Sequence, residues 1–430
     1  MLLLYNLIFP LVMVVYLPVF IYRQVRRGNF LPHFGERFGV YATSQRAAIK
    51  RLRAPVWVHA VSVGEVVAAL SFIRRWRQRQ PDLDFVLSTT TTTGRATAET
   101  RLPERVRLVY CPLDLPFTVR QALRLIRPRM LVIFEVEIWP NLVALAARAG
   151  AKVVLVNGRV SDKSARGYRR LRWLSASLFR RFSLFCMQDE EDAERIRTIL
   201  GPDAPVRVCN TMKFDQIPDA DVGDRQALLN EVFGPGERVV WTAGSTHAGE
   251  EALIADVFLR LKAAFPALKL ILVPRHHERT AEVEAALAAR RLTYRLLRPA
   301  GNAAAAGSPV DALLVNTTGE LMSFYAACDL AFVGKSLAGN RGGHNIIEPA
   351  IFAKPVICGS NMDNFRRVAA AFRRAGALVE AATDADLEPA LRRLLADRNT
   401  RLDLGRRARE VVDKGRGAVD RTLDQLEPLL

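Results

Sequence analysis

Residues able to do chemistry occur in short polar groups along the 430-residue chain. One group lies in Gly342–Pro349, with sequence Gly-Gly-His-Asn-Ile-Ile-Glu-Pro. Its glycines let the backbone approach a ligand, and a helix expected to start after them favours an anion such as a phosphate. Glu348 could accept hydrogen bonds from the two hydroxyls of a ribose. The alternative is that Asn345 and Glu348 only cap the helix, and this stretch alone leaves both open.

Other polar groups follow apolar runs that are typical of buried strands. They are Gly64-Glu65, Glu135-Val136-Glu137, Asn157-Gly158-Arg159, Gly244-Ser245-Thr246, Pro274-Arg275-His276-His277 and Thr317-Thr318-Gly319-Glu320. A carboxylate can act as a general base towards a hydroxyl, and a guanidinium suits phosphate oxygens. The two histidines could bind a metal ion, but no Cys or Asp stands at ligand spacing. The sequence therefore favours a site without metal.

The elements that must position these groups alternate between strand and helix, which predicts parallel sheets covered by helices on both faces. The expected division is an anchor at 1–22, a basic α/β domain at 28–215, a linker at 216–223, and a nucleotide-binding α/β domain at 224–430. The last helix either stays with this second domain or crosses back to the first. Ligands bind at the carboxyl ends of parallel strands, where all the polar groups fall. One cleft between two doubly wound domains is therefore expected.

Charge is distributed unevenly between the two halves of the chain. Residues 1–215 contain 34 Lys and Arg against 17 Asp and Glu, a net charge of +17, whereas residues 216–430 have a net charge of +1. A basic half predicts an anionic partner such as phospholipid, phosphorylated lipid or nucleic acid. The alternative is a solvated surface in an arginine-rich proteome.

Residues 1–22 are almost wholly apolar and are followed by Arg23, Arg26 and Arg27. This pattern predicts a membrane anchor, spanning or interfacial, with the rest of the chain on the cytoplasmic side, and it argues against nucleic acid. The five cysteines form no CxxC pair, which fits a reducing compartment.

Seven stretches together resemble the bacterial 3-deoxy-D-manno-octulosonic acid (Kdo) transferases. They are Ser62–Glu65, Phe134–Asn141, Asn157–Arg159, Met212–Asp215, Ala243–Thr246, Val273–His276 and Gly342–Pro349. The resemblance covers nearly the whole chain in order. One departure is that Val136 and Ile138 replace Thr and Leu of the family's usual Glu-Thr-Glu-Leu-Trp-Pro-Asn.

The resemblance implies a GT-B fold and an inverting transfer of Kdo from CMP-Kdo to a lipid A precursor at the cytoplasmic face of the inner membrane. No metal cofactor is expected, and no protein partner is predicted. It implies that Glu65 is the general base and that Glu135 and Lys213 stabilise the transition state. Glu65 alone could equally be a helix cap, and Glu137 is interpreted as structural. The implied donor contacts are Pro274, Arg275, Thr318, Gly319, Glu320, Asn345, Ile346, Ile347 and Glu348, with a weaker contribution from Gly244, Ser245 and Thr246.

Two other functions fit part of the pattern. A UDP-sugar glycosyltransferase or a sugar-nucleotide epimerase would share the architecture without requiring Ser62–Glu65 or the anchor. A non-enzymatic membrane-tethered binder of anionic lipid would account for the charge but not for polar strand ends. The sequence leaves open the number of Kdo units transferred, the acylation of the acceptor and the oligomeric state.

Overall fold

The computed structural model describes residues 2–11, 33–215, 225–297, 309–317 and 319–430. The chain divides into two compact units. The N-terminal unit comprises Met1–Gln216 and Gly415–Leu430, and the C-terminal unit comprises Ile217–Lys414. Each unit contains a seven-stranded sheet in which every pair of neighbouring strands is parallel.

The strands of the N-terminal unit are short apolar segments buried on both faces, as parallel strands between helix layers must be. They are β1 (Val56–His59), β2 (Phe85–Thr89), β3 (Val106–Tyr110), β4 (Met130–Phe134), β5 (Lys152–Gly158), β6 (Leu184–Met187) and β7 (Val206–Val208). Their order is β3-β2-β1-β4-β5-β6-β7. The chain reverses its direction of winding between β1 and β4, so the expected ligand position lies at the carboxyl ends of those two strands.

Helices cover both faces of this sheet. They are α1 (residues 2–11), α2 (Thr43–Lys50), α3 (Val63–Arg79), α4 (Thr92–Glu99), α5 (Pro116–Ile126), α6 (Pro140–Arg148), α7 (Asp162–Arg170), α8 (Arg172–Phe179), α9 (Glu190–Leu200) and, from the end of the chain, α18 (Ala418–Leu426). Trp57 of β1 packs into one core, while Val56 and Val58 pack into the other with α3 and α18. Asp215 fixes α18 by accepting the backbone N–H groups of Gly417 and Val419, each at 2.7 Å.

The C-terminal unit repeats the plan. Its strands are β8 (Val239–Thr246), β9 (Leu268–Pro274), β10 (Tyr294–Leu297), β11 (Ala312–Val315), β12 (Leu330–Val333), β13 (Val356–Gly359) and β14 (Val379–Ala381), in the order β10-β11-β9-β8-β12-β13-β14. Its helices are α10 (Gln226–Phe233), α11 (Glu250–Ala264), α12 (Thr280–Ala289), α13 (Leu321–Ala327), α14 (Ile347–Ala350), α15 (Arg366–Arg374), α16 (Leu387–Ala396) and α17 (Arg398–Gly415). Here the winding reverses between β8 and β12.

One sequence-based expectation differs from the structure, because the helix expected after Gly343 is the single turn α14. Elsewhere, the helices α7 and α8 meet at Leu171. Gly417, in a left-handed conformation, precedes α18 and separates it from α17.

The predicted anchor at 1–22 lies only partly within the described residues. Residues 2–11 form α1, and residues 12–22 lie outside the described part of the chain. Among the helices that the structure describes, none combines the length and the apolarity needed to cross a bilayer. The α1 helix packs on the N-terminal unit, where Phe9 meets Trp139 edge to face and Asn6 accepts a hydrogen bond from Asn141.

Candidate active site

Acidic side chains gather at the carboxyl ends of β1 and β4, which are neighbours in the sheet. We define the carboxylate cluster as Glu65, Glu135 and Glu137 with the cations Arg159 and Lys213. Burial raises the pKa of Glu135, the nearby Arg159 and Lys213 lower it, and the charge of Glu65 adds to the increase. The Arg159 Nε lies 3.1 Å from the Glu135 Oε2. The structure thus brings together the three predicted catalytic residues Glu65, Glu135 and Lys213.

Glu137, interpreted from the sequence as structural, belongs to the same cluster. Burial raises its pKa, and the charges of Glu65 and Glu135 raise it further. Three carboxylates within electrostatic range favour retention of a proton by one of them. The sequence signal for the place of Glu137 in the cluster was its spacing of two residues from Glu135. That signal was weak, because alternate residues share a face only while the strand continues.

Glu65 makes the contacts of a helix cap. Its Oε2 accepts the N–H of Val61 at 2.9 Å, its Oε1 accepts the Ser62 hydroxyl at 2.8 Å, and Ser62 Oγ in turn accepts the Glu65 N–H at 3.3 Å. The cap holds the carboxylate in one orientation at the start of α3. Each carboxylate oxygen has a second acceptor position, so capping and proton abstraction are compatible.

Left-handed backbone shapes this edge of the sheet. Glu135 has φ 59° and Asn157 has φ 51°, conformations that L residues adopt only where the surroundings enforce them. Asn157 also accepts the backbone N–H of Met212 at 3.0 Å, which holds the segment Met212–Asp215 that carries Lys213. Strand ends β4 and β5 and this segment are therefore tied to each other.

In the C-terminal unit, histidine, arginine and lysine side chains lie at the strand ends instead. We define the basic cluster as His247, Arg275, His276, Lys335 and His344. These residues follow β8, β9 and β12 and influence one another's charge. The His247 and His344 rings stack at 5.2 Å with their Nε2 atoms 2.9 Å apart, and the His276 ring meets His247 edge to face at 5.4 Å.

Buried acids of α11 hold the loops that carry this cluster. Glu250 is fully buried and accepts the backbone N–H groups of His247, Lys335, Ser336 and Leu337 at 2.8–3.0 Å. Glu251 accepts the hydroxyl of Thr246 and pairs with Arg279. Both carboxylates are thus occupied by the protein itself, which leaves the cations of the basic cluster uncompensated by them.

The predicted residues Gly244, Ser245 and Thr246 form the end of β8. Ser245 has φ 55° and interrupts the pairing with β9, so the strand bulges here. A side chain at Gly244 would lie 2.2 Å from the buried Tyr325 hydroxyl, which explains the glycine by packing. The backbone N–H of Arg275 donates to the Thr246 carbonyl at 3.0 Å and joins this loop to Pro274, the last residue of β9.

The glycines of Gly342–Pro349 position His344. Both have positive φ, and a side chain at Gly343 would lie 2.3 Å from the Met362 sulphur. Asn345 accepts the Ile347 N–H at 3.2 Å and donates to Glu348 at 3.3 Å. Because α14 is one turn long, it lacks the aligned dipole of the longer helix that the sequence predicted. The positive charge of this region therefore comes mainly from side-chain cations.

Glu348 has the most perturbed carboxyl group of this region. Burial raises its pKa to about 7, partly offset by the hydrogen bond from Asn345 and the charge of Arg275. The side chains of Ile346 and Ile347 are fully buried, so these two residues can offer a ligand only their backbone.

The last predicted contacts follow β11. Thr318 lies outside the described residues. Gly319 has φ 90°, and Glu320 accepts the Thr317 hydroxyl at 2.5 Å and pairs with Arg225 at 3.4 Å. Glu320 therefore has protein partners of its own.

His247 and Lys335 were not singled out from the sequence. The signal for His247 was its position immediately after the selected Gly244–Thr246. Lys335 is the second residue after β12, at the switch point. No three His, Cys, Asp or Glu side chains in the described part of the chain are arranged to hold a metal ion.

Comparison with family models gives two matches. Residues 32–216 match the model described as 3-deoxy-D-manno-octulosonic-acid transferase, and residues 307–411 match the model of glycosyl transferases group 1. The 3-deoxy-D-manno-octulosonic acid transferase of Haemophilus influenzae is 31% identical over 408 residues, covering 95% of this chain and 93% of the relative. The enzyme of that name from Bordetella pertussis is 34% identical over 391 residues, covering 88% of each chain.

Solved structures with low sequence identity share the fold. The UDP-GlcNAc 2-epimerase of Neisseria meningitidis gives a TM-score of 0.57 at 11% identity, covering 87% of this chain and 100% of that one. A glycosyltransferase from Rickettsia africae gives 0.57 at 9% identity, covering 88% and 98%. These likenesses establish two Rossmann-like α/β domains of the kind found in GT-B enzymes.

Proposed function

Since this chain belongs to the 3-deoxy-D-manno-octulosonic acid (Kdo) transferase family and is therefore a glycosyltransferase of lipopolysaccharide biosynthesis, we propose that its two clusters divide the reaction between them. The carboxylate cluster acts on the acceptor hydroxyl, and the basic cluster holds a CMP-Kdo donor. The observation that carries the proposal is the opposite chemistry of the two clusters at equivalent strand ends. An acid-rich site suits proton removal, and a cation-rich site suits phosphate.

In the proposed reaction, an acceptor hydroxyl oxygen forms a bond to the anomeric carbon of Kdo while the bond from that carbon to the CMP phosphate oxygen breaks. The proton of the hydroxyl passes to Glu65, and the electron pair of the broken bond leaves on the phosphate. Attack opposite to the leaving group inverts the anomeric centre. The fixed orientation of Glu65 in its cap reduces the entropy lost on reaching this geometry.

Glu135 and Lys213 are proposed to stabilise charge in the transition state. Glu135 is 13% exposed and pairs with Arg159, so an ionised carboxylate there has a compensating cation. Lys213 is held on a short helical segment fixed by Asn157. Such prearranged charges stabilise developing charge without reorganisation.

On the donor side, Arg275 is proposed to contact phosphate oxygens. It is exposed, and no carboxylate in the described part of the chain forms a salt bridge with it. Glu348 is proposed to accept hydrogen bonds from the ribose hydroxyls, and the backbone of Asn345–Ile347 to line the nucleotide. Pro274, Gly319, Glu320 and the Gly244–Thr246 loop complete the proposed contacts, with Thr318 between them in sequence.

The acceptor is proposed to be a phosphorylated lipid A precursor held by the basic surface of the N-terminal unit. Arg166, Arg169 and Arg195 line a cavity of about 360 Å³. Guanidinium groups bind phosphate well. Replacing Arg166 and Arg169 with Glu is expected to weaken use of a bisphosphorylated acceptor at least tenfold while CMP binding is unchanged.

The membrane association of the family is proposed to extend to this chain through its N-terminal segment. Within α1, Leu3, Leu7 and Leu11 are 89%, 67% and 64% exposed. On α8, Trp173 is 70% exposed and follows a run of arginines. Tryptophan and arginine together suit the boundary of an anionic bilayer. Cosedimentation with phosphatidylglycerol vesicles should therefore weaken in a Leu7→Glu, Trp173→Glu variant.

Mass spectrometry of products tests the proposed donor and acceptor together. The reaction of CMP-Kdo with tetraacylated disaccharide bisphosphate should give a product heavier by one or more Kdo units. A thermal-shift comparison of CMP with UDP separates this function from that of a UDP-sugar enzyme on the same architecture. Stabilisation by UDP alone would overturn the donor assignment, and product formation without CMP-Kdo would overturn the mechanism.

A further inference from the structure

The imidazoles of His247 and His344 are close enough to share a hydrogen. Their Nε2 atoms are 2.9 Å apart, which is a hydrogen-bond distance, and the two ring planes are within 18° of parallel. An imidazole nitrogen donates only when it carries a proton. In a neutral pair, therefore, one ring must be protonated at Nε2 and the other at Nδ1, and the two rings are tied to one joint protonation state.

We propose that His247 and His344 form one proton-sharing pair that binds an oxyanion of the donor and gains a proton when the donor binds. This inference rests on the proposed function, because it places the donor's anionic groups at the basic cluster. It assigns a donor-binding role to two residues outside the expected donor contacts.

The surroundings of the pair oppose its protonation before the donor arrives. Burial, followed by nearby positive charge, lowers the pKa of His247 to about 4 and that of His344 to about 3. The charged and titratable groups that face the pair are Arg275, His276 and Arg279 from the region after β9, Lys335 after β12, and the carboxyl group of Glu250 on α11. Glu348 on α14 interacts with Arg275.

Anion binding reverses this balance. The Glu250 carboxylate accepts four backbone N–H groups, so its acceptor positions are taken by the backbone and not by the imidazoles. The neutral pair carries two ring protons, one on each imidazole, and the positive charges of Arg275 and Lys335 repel a third. A phosphate or carboxylate oxygen placed against Arg275 and Lys335 neutralises those charges. The pair then gains a proton, and its positive charge adds to the attraction for the same oxyanion. Donor affinity must consequently increase as pH falls.

The position of the pair supports this role. His247 follows β8 and His344 lies in the loop after β12, so the pair bridges the two strands at which the winding reverses. Gly343 and the Met362 side chain fix the backbone before His344, and Glu250 fixes the backbone of His247. The two rings are held beside Arg275 and Lys335, neither of which forms a salt bridge with the residues that the structure describes, and this arrangement suits an anionic ligand.

Isothermal titration of the full chain with CMP, in two buffers of different ionisation enthalpy, measures the protons taken up on binding. At pH 6.5 the wild type should take up more protons than His344→Gln or His247→Gln, by on the order of one proton per CMP bound. The difference between proteins cancels the contributions of the CMP phosphate and Glu348. The matched control is His277→Gln, because that side chain is 63% exposed and pairs only with Glu278 in the described residues; it should behave as the wild type.

The pH dependence of affinity gives an independent readout. Each proton taken up makes the dissociation constant rise tenfold per pH unit, so log Kd should climb more steeply with pH in the wild type than in either glutamine variant. A purely structural role would change affinity without changing this slope. Equal slopes and equal proton counts would overturn the inference while CMP binding kept the proposed function intact.

The choice of ligand identifies the oxyanion. Cytidine, CMP, and CMP with free Kdo are compared in turn. Extra proton uptake that begins with CMP assigns the phosphate, and uptake that begins only when Kdo is added assigns the sugar carboxylate. Uptake already complete with cytidine would overturn an oxyanion role. Failure of the wild type to bind CMP at all would instead overturn the proposed donor, so the two failures are distinguishable.

Discussion

The carboxylate cluster and the basic cluster occupy corresponding places in two sheets of similar plan, yet they have opposite chemistry. In each unit the functional groups follow the two strands at which the winding reverses, β1 and β4 in one and β8 and β12 in the other. The first pair of strand ends carries Glu65 and Glu135, and the second carries His247 and Lys335. The fold thus determines where a site forms, and a few loop residues determine what it binds.

Acids serve different ends in the two units. In the C-terminal unit Glu250 and Glu251 are buried. Glu250 accepts backbone N–H groups, and Glu251 accepts a hydroxyl and pairs with Arg279. In the N-terminal unit Glu137 remains partly exposed, and its pKa is raised by burial and then by the charges of Glu65 and Glu135. Acids used for architecture leave cations free for a ligand, whereas acids kept at the surface of the site can take a proton.

The largest effect on the rate of transfer is expected from Glu65→Gln. This substitution distinguishes the role of Glu65 as a helix cap from its proposed role as a general base. Gln serves in a helix cap as Glu does, so Glu65→Gln should fold normally. It cannot accept the acceptor's proton, and transfer should fall by about 10²–10⁴-fold. CMP binding measured by calorimetry should stay within about twofold of the wild type, since the donor groups belong to the other unit. Retained transfer would leave Glu65 only as a cap and would break the proposed division of labour.

Histidine should also behave differently in the two units. His59 is fully buried at the end of β1, and burial lowers its pKa to about 4. As pH falls below 6.5, the unfolded state binds a proton that the folded state excludes, so stability is lost. Between pH 6.5 and 5 this loss is roughly 2 kcal/mol.

Urea unfolding followed by tryptophan fluorescence checks this effect in His59→Asn against the wild type. The variant lacks the imidazole, so the stability gap between the two proteins should narrow as pH falls. His277→Asn is the control, because its exposed side chain should leave the gap unchanged. A gap independent of pH would show that the folded protein accommodates charged His59.

Comparing two exposed arginines of the C-terminal unit tests whether Arg275 makes a specific contact with the donor. Arg275 belongs to the basic cluster, while Arg341 is 75% exposed with its Nε 3.6 Å from Asp363. Loss of a charge-assisted hydrogen bond costs about 1.5–3 kcal/mol, so Arg275→Ala should weaken CMP binding by roughly 10- to 100-fold. Arg341→Ala should be close to wild type. Equal losses would mean that general positive charge, not a specific contact, attracts the nucleotide.

The sequence predicted the fold class and the family well, and it predicted the local backbone geometry less well. Strand–helix alternation and polar strand ends predicted two α/β domains, and the resemblance based on seven motifs is confirmed by relatives that align over nearly the whole chain. The one-turn length of α14 was not predictable, because Pro349 and the apolar residues after it also fit a longer helix. The predicted roles of the individual site residues stay predictions.

The contacts inside each cluster could not be predicted from the sequence, because the fold brings together residues that are not neighbours along the chain. His247 and His344 are separated by 97 positions, and only the neighbouring of β8 and β12 brings their rings to hydrogen-bond distance. Similarly, Glu137 joins Glu65 because the chain turns after β4 with Glu135 in a left-handed conformation, which no residue pattern at that point required.

The smallest effect expected concerns the ion pair between Arg159 and Glu135. Arg159 lowers the pKa of Glu135 against the effect of burial, so Arg159→Gln should raise that pKa. If the reaction needs ionised Glu135, the acid limb of the plot of kcat against pH must then move to higher pH. The rate should drop severalfold on the acid side of the profile and recover at higher pH, because Glu135 ionises again there.

Arg148→Gln, in the last turn of α6, is the matched control and should keep the wild-type profile. CMP affinity should be unchanged in both variants, since Arg159 lies in the N-terminal unit. A loss of rate that is equal at every pH would assign Arg159 to acceptor binding instead of to control of Glu135. A shift of the limb towards lower pH would mean that the reaction uses Glu135 in its protonated form, which would turn the carboxylate cluster from a set of bases into a base with an acid beside it.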